Sequence, residues 1–339
     1  MSISPDPIFQ MLTGFWVSKT LMAAVEADIF SKVEGRQITA QELQQLLSME
    51  ERPAQSFAAA LVSLGLLEYK ADRFSNSAHA SAFLVRQKPS YMGGFIRMVD
   101  ERVYKAWEQL SWSLANNRPV EAKSGGDAES LFDDAKQEKG IQEIEKFTHA
   151  MYGVSIGPAM ALAKAFDFTK HKSLLDIGGG SGVYSIWVAK ENPNMMATVA
   201  DLAPVCRVAE QYVASYGLAG RVKTIPLDFW KQDIPAGHDV MFLSHILHDY
   251  SEEKDIMLLK KVYAALPKGG AVIISEWMLN DDKSGPVPSA MMGLNMIVET
   301  NGGRSYTFAE ISEMLRKAGF QNIEKRLLAG PAQIAIGYK

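Results

Sequence analysis

The stretch LLDIGGGSG, Leu174–Gly182, constrains this chain more than any other. An apolar run reads as a buried strand, closes on Asp176 and Ile177, and gives way to four glycines in five residues. Such density marks a backbone that takes left-handed conformations and lets another group approach its amides closely. The spacing is Gly178-x-Gly180-x-Gly182, with Val183 where the dinucleotide fingerprint GxGxxG has its third glycine, so the loop departs from the NAD pattern.

The segments on either side place the loop in a larger pattern. Strand-like SLLDIGG, MMATVADL, VKTIPLDF, HDVMFLSHI and GAVIISEWML alternate with helical segments, and NIEKRLLAG and QIAIGYK close the chain. That alternation predicts an α/β, doubly wound, mostly parallel sheet of Rossmann-like type, with the last two strands as an antiparallel pair at one edge. In such a sheet the ligand lies outside the carboxyl ends of the strands, at the switch point. Asp176, Asp201 and Asp228 read as the ends of three successive strands. Asp201 is placed to accept from both hydroxyls of a ribose. Asp228, with Phe229 beside it, offers an adenine an acceptor and an apolar face.

Residues 1–115 read as a separate, mainly helical domain, 116–150 as a connection leading into a helix that borders a substrate pocket, and 151–339 as the sheet domain. Thr39 and Glu42 form a capping-box pattern, a second helix spans about 52–64, and two short strands flank a turn at Lys70–Asp72. Helix, helix, hairpin is a winged-helix order and raises a DNA-binding regulator as an alternative. Its would-be recognition helix, RPAQSFAAALVSLGL, carries Arg52 alone as a base, too little for phosphates or base edges. A formal net charge of −4 likewise gives no general attraction for nucleic acid or an anionic membrane. Cys206 stands alone, so no intrachain disulfide forms and a reducing cytoplasm is the expected location. The apolar run 8–17 lacks a preceding basic segment and is soon interrupted by Lys19, Glu26 and Asp28, which predicts neither a secretory signal nor a membrane span. Phe9, Met11, Leu12, Phe15 and Trp16 instead predict a face that packs on a second copy of the chain.

LLDIGGGSG, DLAPV, LDFW, HILHDYSEEKDIMLLKKVYAALPKGGAVIISE and GGRSYT together make the chain resemble the S-adenosylmethionine (SAM) dependent small-molecule methyltransferases of the caffeic acid and acetylserotonin O-methyltransferase type. The resemblance spans essentially the whole chain, including the N-terminal dimerisation domain, and implies a homodimer that methylates a small molecule, most often at a hydroxyl. It implies His248 as the base, with Asp249 and Glu276 to orient it. It implies Asp176, Gly178, Gly180, Asp201, Leu202, Asp228, Phe229, Ser155, Ser244 and Tyr250 as cofactor contacts. The acceptor pocket is expected to draw on Met151, Met291, Met292, Asn295 and Met296, since flexible thioethers suit varied flat ligands. Arg97 and Tyr104, seven residues apart, are expected to share a helix face, and Arg304 follows a glycine pair. An arginine facing the pocket would suit a carboxylate-bearing acceptor. Ser305 replaces a glutamate of the caffeic acid enzymes, with Glu299 as a candidate substitute. This departure keeps open S-methylation of a thioether acid, as in dimethylsulfoniopropionate synthesis, where no proton has to be removed. No metal is predicted, because the histidines show no ligand spacing with cysteines or paired carboxylates.

Overall fold

The computed structural model describes residues 3–124 and 138–339, and the chain forms two compact units, Met1–Arg102 and Val103–Lys339. The division falls earlier than the expected limit at 115. Helix Leu110–Asn116 belongs to the second unit, where it packs on helix Val287–Glu299. Much of the polar connection between 116 and 150 lies outside the described residues. The helix beyond it runs unbroken from Glu138 to Ala165.

In the first unit, local chemistry fixes the elements. The Glu42 amide donates to Thr39 Oγ1 at 3.2 Å and Glu42 Oε2 accepts from the Thr39 amide at 2.7 Å, which starts helix Ala40–Leu47. Helix Glu51–Ser63 buries Ala54, Ala58 and Leu61. Strands β1 (Leu67–Lys70) and β2 (Arg73–Asn76) meet through Ala71 and Asp72, both with positive φ, as a two-residue hairpin turn requires. Ile38 and Phe74 exchange backbone hydrogen bonds of 2.9 and 2.7 Å, which tie the chain before helix Ala40–Leu47 to the hairpin. Helix Asp6–Glu26 is the exception to ordinary burial: Phe9, Met11, Leu12, Phe15 and Trp16 are all exposed, Met11 by 81%. At 21 residues, with an 18-residue window of mean hydropathy 1.3, it is long and apolar enough by length and composition alone to cross a membrane.

The second unit is built on a seven-stranded sheet. Its strands are β3 (Ser173–Ile177), β4 (Met196–Asp201), β5 (Val222–Pro226), β6 (Val240–Ser244), β7 (Ala271–Glu276), β8 (Gln321–Leu327) and β9 (Gln333–Tyr338), in the order β5-β4-β3-β6-β7-β9-β8. The first five are parallel, and β9 pairs antiparallel with both β7 and β8, as expected. Side chains of the central strands alternate between two cores: Leu174, Phe242 and Ile273 enter one, Leu175, Leu243 and Ile274 the other. Burial on both faces explains why these strands read as continuous apolar runs. The chain leaves β3 in one direction for β4 and β5, then returns to β6 on the other side. The crevice at the carboxyl ends of β3 and β6 is therefore the switch point.

Candidate active site

On the β3 side the glycine loop forms a cradle. Gly178, Gly180 and Gly182 all have positive φ. At Gly180 an added Cβ would meet nothing within 4 Å, so its backbone faces open space, whereas at Gly178 the Cβ would fall 2.4 Å from Ile246 Cδ1. Asp201, at the end of β4, accepts from the Gly180 amide at 2.8 Å and the Leu202 amide at 2.7 Å, which ties the loop to the second strand. Burial pushes the Asp201 carboxyl up to about 6 against those two amides. Asp176 is 1% exposed. Ser185 donates to its Oδ2 at 2.9 Å, while its Oδ1 is buried without a partner. Burial, opposed by Ser185, pushes this carboxyl up to about 7.

Asp228 does not end a strand. Pro226 closes β5 and Asp228 lies in the turn beyond it. Its carboxylate receives the Trp230 amide at 3.1 Å and Lys231 Nζ at 2.5 Å. Burial would raise it, but Lys231 and the turn amides outweigh burial and hold it below the usual range. Phe229 lies 3.8 Å from the Cβ position of Gly178, and Tyr250 meets Trp230 edge-on at 4.8 Å, so one aromatic wall brings together residues of two loops. Ser244 ends β6 with its hydroxyl buried and unpartnered.

The β6 side carries the titrating groups. His248 sits in a 3₁₀ turn, Leu247–Asp249, 8% exposed, with Nδ1 at 2.6 Å from Glu276 Oε2. Glu276, the last residue of β7, also accepts from the Leu247 amide at 3.1 Å and the His248 amide at 3.4 Å through Oε1, so one carboxylate holds both the ring and its backbone. Asp249 Oδ1 is 3.5 Å from Nε2. Burial works against the imidazolium, but the charges of Glu276 and Asp249 overcome it and raise His248 to about 9. Glu276 is held below the ordinary carboxylate range, because His248 outweighs its burial. Gly303 closes the turn from the other side: an added Cβ would lie 2.3 Å from the His248 carbonyl oxygen.

His245 had drawn no role from the sequence. It adopts a left-handed backbone with φ 55° and places Nδ1 3.8 Å from Glu276 Oε2. Burial depresses it to about 4, so it is neutral. The donor atoms of His245, His248 and Glu276 lie within 4.8 Å of one another, a set able to hold a metal ion. Glu276, which completes it, comes from a strand end 28 residues after His248 and so leaves no local ligand spacing in the sequence.

The expected acceptor residues divide. Asn295 accepts from Trp107 Nε1 at 2.7 Å, which joins helix Tyr104–Trp107 to helix Val287–Glu299. Met292 and Asn295 on that helix are half-buried and Met296 is buried, while Met291 is 44% exposed. Met151 and Ser155 are half-buried on helix Glu138–Ala165. Ser305 donates to the Ser289 carbonyl at 2.7 Å. Arg304 is at the surface, 3.4 Å from Glu252 and 3.8 Å from Glu310, with its guanidinium 4.7 Å over the Tyr306 ring. A π-helical turn, Val99–Val103, interrupts the helix between Arg97 and Tyr104, so seven residues no longer complete two turns there.

A class I sheet with a glycine cradle, acids on two neighbouring strands and an unpartnered buried carboxylate oxygen fits SAM, whose ammonium group needs such an oxygen and whose ribose needs such an acid. These features define a SAM-dependent methyltransferase. Residues 107–321 match the family model of the O-methyltransferase domain and residues 9–86 that of the O-methyltransferase dimerisation domain, and the chain belongs to this family. It is 35% identical, over 96% of its length and 92% of the relative's, to 3-hydroxy-5-methyl-1-naphthoate 3-O-methyltransferase of Streptomyces sahachiroi. To acetylserotonin O-methyltransferase of Gallus gallus it is 29% identical, over 99% and 97%. Among solved structures it superposes on PigF with S-adenosylhomocysteine with a TM-score of 0.86 at 28% identity, covering 99% of this chain and 100% of that one. The chain is a SAM-dependent O-methyltransferase of small molecules.

Proposed function

We propose that the chain methylates a hydroxyl on a small planar aromatic acceptor, with His248 as general base. The His248–Glu276 pair carries this reading: a carboxylate on Nδ1 fixes the tautomer that leaves the Nε2 lone pair free to take a proton, and it stabilises the imidazolium that results. SAM supplies a sulfonium-bound methyl group for in-line transfer. His248 removes the hydroxyl proton as the acceptor oxygen attacks, Asp249 beside Nε2 favours the charge that His248 gains, and the surrounding apolar core excludes water. The relatives' names support an aromatic hydroxyl, as in a 3-hydroxynaphthoate, an acetylserotonin and a tetracenomycin. Arg304 is engaged with Glu252 and Glu310, so it offers no argument for an acceptor carboxylate.

In this reading Asp201 binds the ribose through the lone pairs that the Gly180 and Leu202 amides leave free. Asp201→Ala should weaken SAM binding about 10- to 100-fold, the equivalent of one or two hydrogen bonds to a charged group. Calorimetric titration with SAM checks this, and an unchanged Kd would remove Asp201 from the site.

The exposed face of helix Asp6–Glu26 is assigned to the partner subunit of a cytoplasmic homodimer, in keeping with the dimerisation-domain match. Light scattering of Phe15→Lys with Met11→Lys should give half the wild-type mass. A wild-type chain that is already monomeric at micromolar concentration would end this assignment.

A further inference from the structure

The ladder of β5 stops at Pro226 and β6 begins at Val240, and between them the chain forms neither helix nor strand. Phe229 stands in this stretch, so no strand pairing sets its place. The turn that carries it is closed by its own residues. The Gln232 amide donates to the Asp228 carbonyl at 2.8 Å, the Asp228 amide to Gln232 Oε1 at 2.8 Å, and the Trp230 amide to Asp228 Oδ1 at 3.1 Å. Bonds within a turn give it a shape without fixing where it lies against the rest of the molecule. Leu227 and Ile234 are buried on either side and anchor the two ends of the segment, which leaves its middle to be held by something else.

Lys261 supplies that hold. It lies on helix Glu252–Ala265, whose Leu258, Leu259 and Val262 enter the same core as Leu227 and Ile234. Its Nζ donates to the Phe229 carbonyl at 2.6 Å and also to the Gln232 carbonyl. One ammonium group thus joins two points of the turn to a helix that is itself fixed in the core, and a charged donor makes each bond stronger than a neutral one would. Lys260, the preceding residue, is exposed, whereas Lys261 is half-buried. The ring of Phe229 lies by the glycine loop, 3.8 Å from the Cβ position of Gly178, and meets Trp230 edge-on at 5.2 Å. Lys261 therefore grips the backbone of the residue whose ring borders the glycine cradle.

We propose that Lys261 is a positioning residue for the cofactor: it fixes the turn at Phe229 and so holds that ring in place against the adenine of SAM. The inference rests on the reading of Phe229 as the apolar face for the adenine, and Lys261 acts through that ring. An aromatic side chain contributes by the flat area it presents, and a ring whose backbone is released presents less of it to a planar base. The proton and the methyl group are handled elsewhere in the crevice, so Lys261 governs how tightly SAM is held and not how fast the bound methyl group is transferred.

Calorimetric titration with SAM of the wild type, Lys261→Met, Phe229→Ala and the double variant tests this without turnover. Lys261→Met keeps an unbranched apolar stem but removes the ammonium group, and it should raise the SAM Kd about tenfold. Phe229→Ala should raise it at least as much. Because the lysine acts through the ring, adding Lys261→Met to Phe229→Ala should raise the Kd by less than about twofold more. Kinetics should show the matching split in Lys261→Met, with a higher KM for SAM and with kcat and the acceptor KM as in the wild type. A wild-type Kd in Lys261→Met alongside weak binding in Phe229→Ala would overturn the proposal, and so would losses that simply add in the double variant. An unchanged Kd in Phe229→Ala would take the ring out of the cofactor site and the proposal with it. Should Lys261→Met fail to fold, Lys261→Gln carries the same comparison.

Discussion

Replacing His248 with glutamine is expected to slow O-methyl transfer by about 10²- to 10⁴-fold, the range that a positioned base supplies, with little change in SAM affinity. Glutamine is the better probe than alanine because Glu276 is 3% exposed and would be left with an unanswered charge. Breaking a buried pair by removing one member costs about 3–5 kcal/mol, enough to confuse lost catalysis with lost fold. A glutamine amide can still donate to Glu276 but cannot accept and carry a proton at neutral pH. Transfer of labelled methyl from SAM to a panel of phenols, hydroxy acids and thioether acids gives the measurement. Wild-type rates in the variant with a phenol would refute the base assignment. Label on a thioether acid, with activity surviving in the variant, would point to S-methylation, in which proximity and desolvation suffice.

Glu276→Gln should have an effect of similar size, and its pH dependence has a definite sign. In the wild type the charge of Glu276 raises His248, so the neutral, proton-accepting form grows as pH climbs through about 9, and kcat/KM of the free enzyme should rise along that limb. Without the Glu276 charge and hydrogen bond, burial is opposed mainly by Asp249, so the limb should shift to the acid side. The plateau should nevertheless fall, on the order of 10²-fold or more, because the ring loses its orienting partner. Stability changes in the opposite direction. The raised His248 contributes stability that is complete below its unfolded value and is lost as pH rises through about 9, whereas the lowered Glu276 contributes above 4.5 and loses its contribution in acid. Rate profiles and thermal melts between pH 5 and 10 test both. An unmoved limb in Glu276→Gln would mean that another group sets it.

The sheet order, the glycine loop and the capping box at Thr39 were legible because each is written in residues close along the chain. A strand ending in glycines carries its meaning within nine residues, and Thr39 finds Glu42 three positions on. The features that escaped are those the topology assembles. Asp255 looks in sequence like one more acid at a helix start, and only the packed fold shows that it is wholly buried. His245 gains significance only when β7 brings Glu276 beside it. Arg304 was readable as a residue type but not as a direction, because its partners Glu252 and Glu310 lie on two other helices. The Arg97 and Tyr104 pairing assumed a regular helix, whereas a π-helical turn lies between them. Asp228 was misplaced by two residues, since the ladder of β5 stops at Pro226.

The backbone of Gly303, pressed against the His248 carbonyl, bears on how such a chain can change over time. One added methyl group is the smallest alteration a residue there can undergo, and the backbone of His248 and Asp249, together with the Thr300 hydroxyl, already bars it. Two segments 55 residues apart (303 − 248) therefore have no independent histories. Any drift in the turn that bears the imidazole has to be matched in the glycine pair. A lineage built on this plan has to carry the turn and the glycine pair forward as one unit.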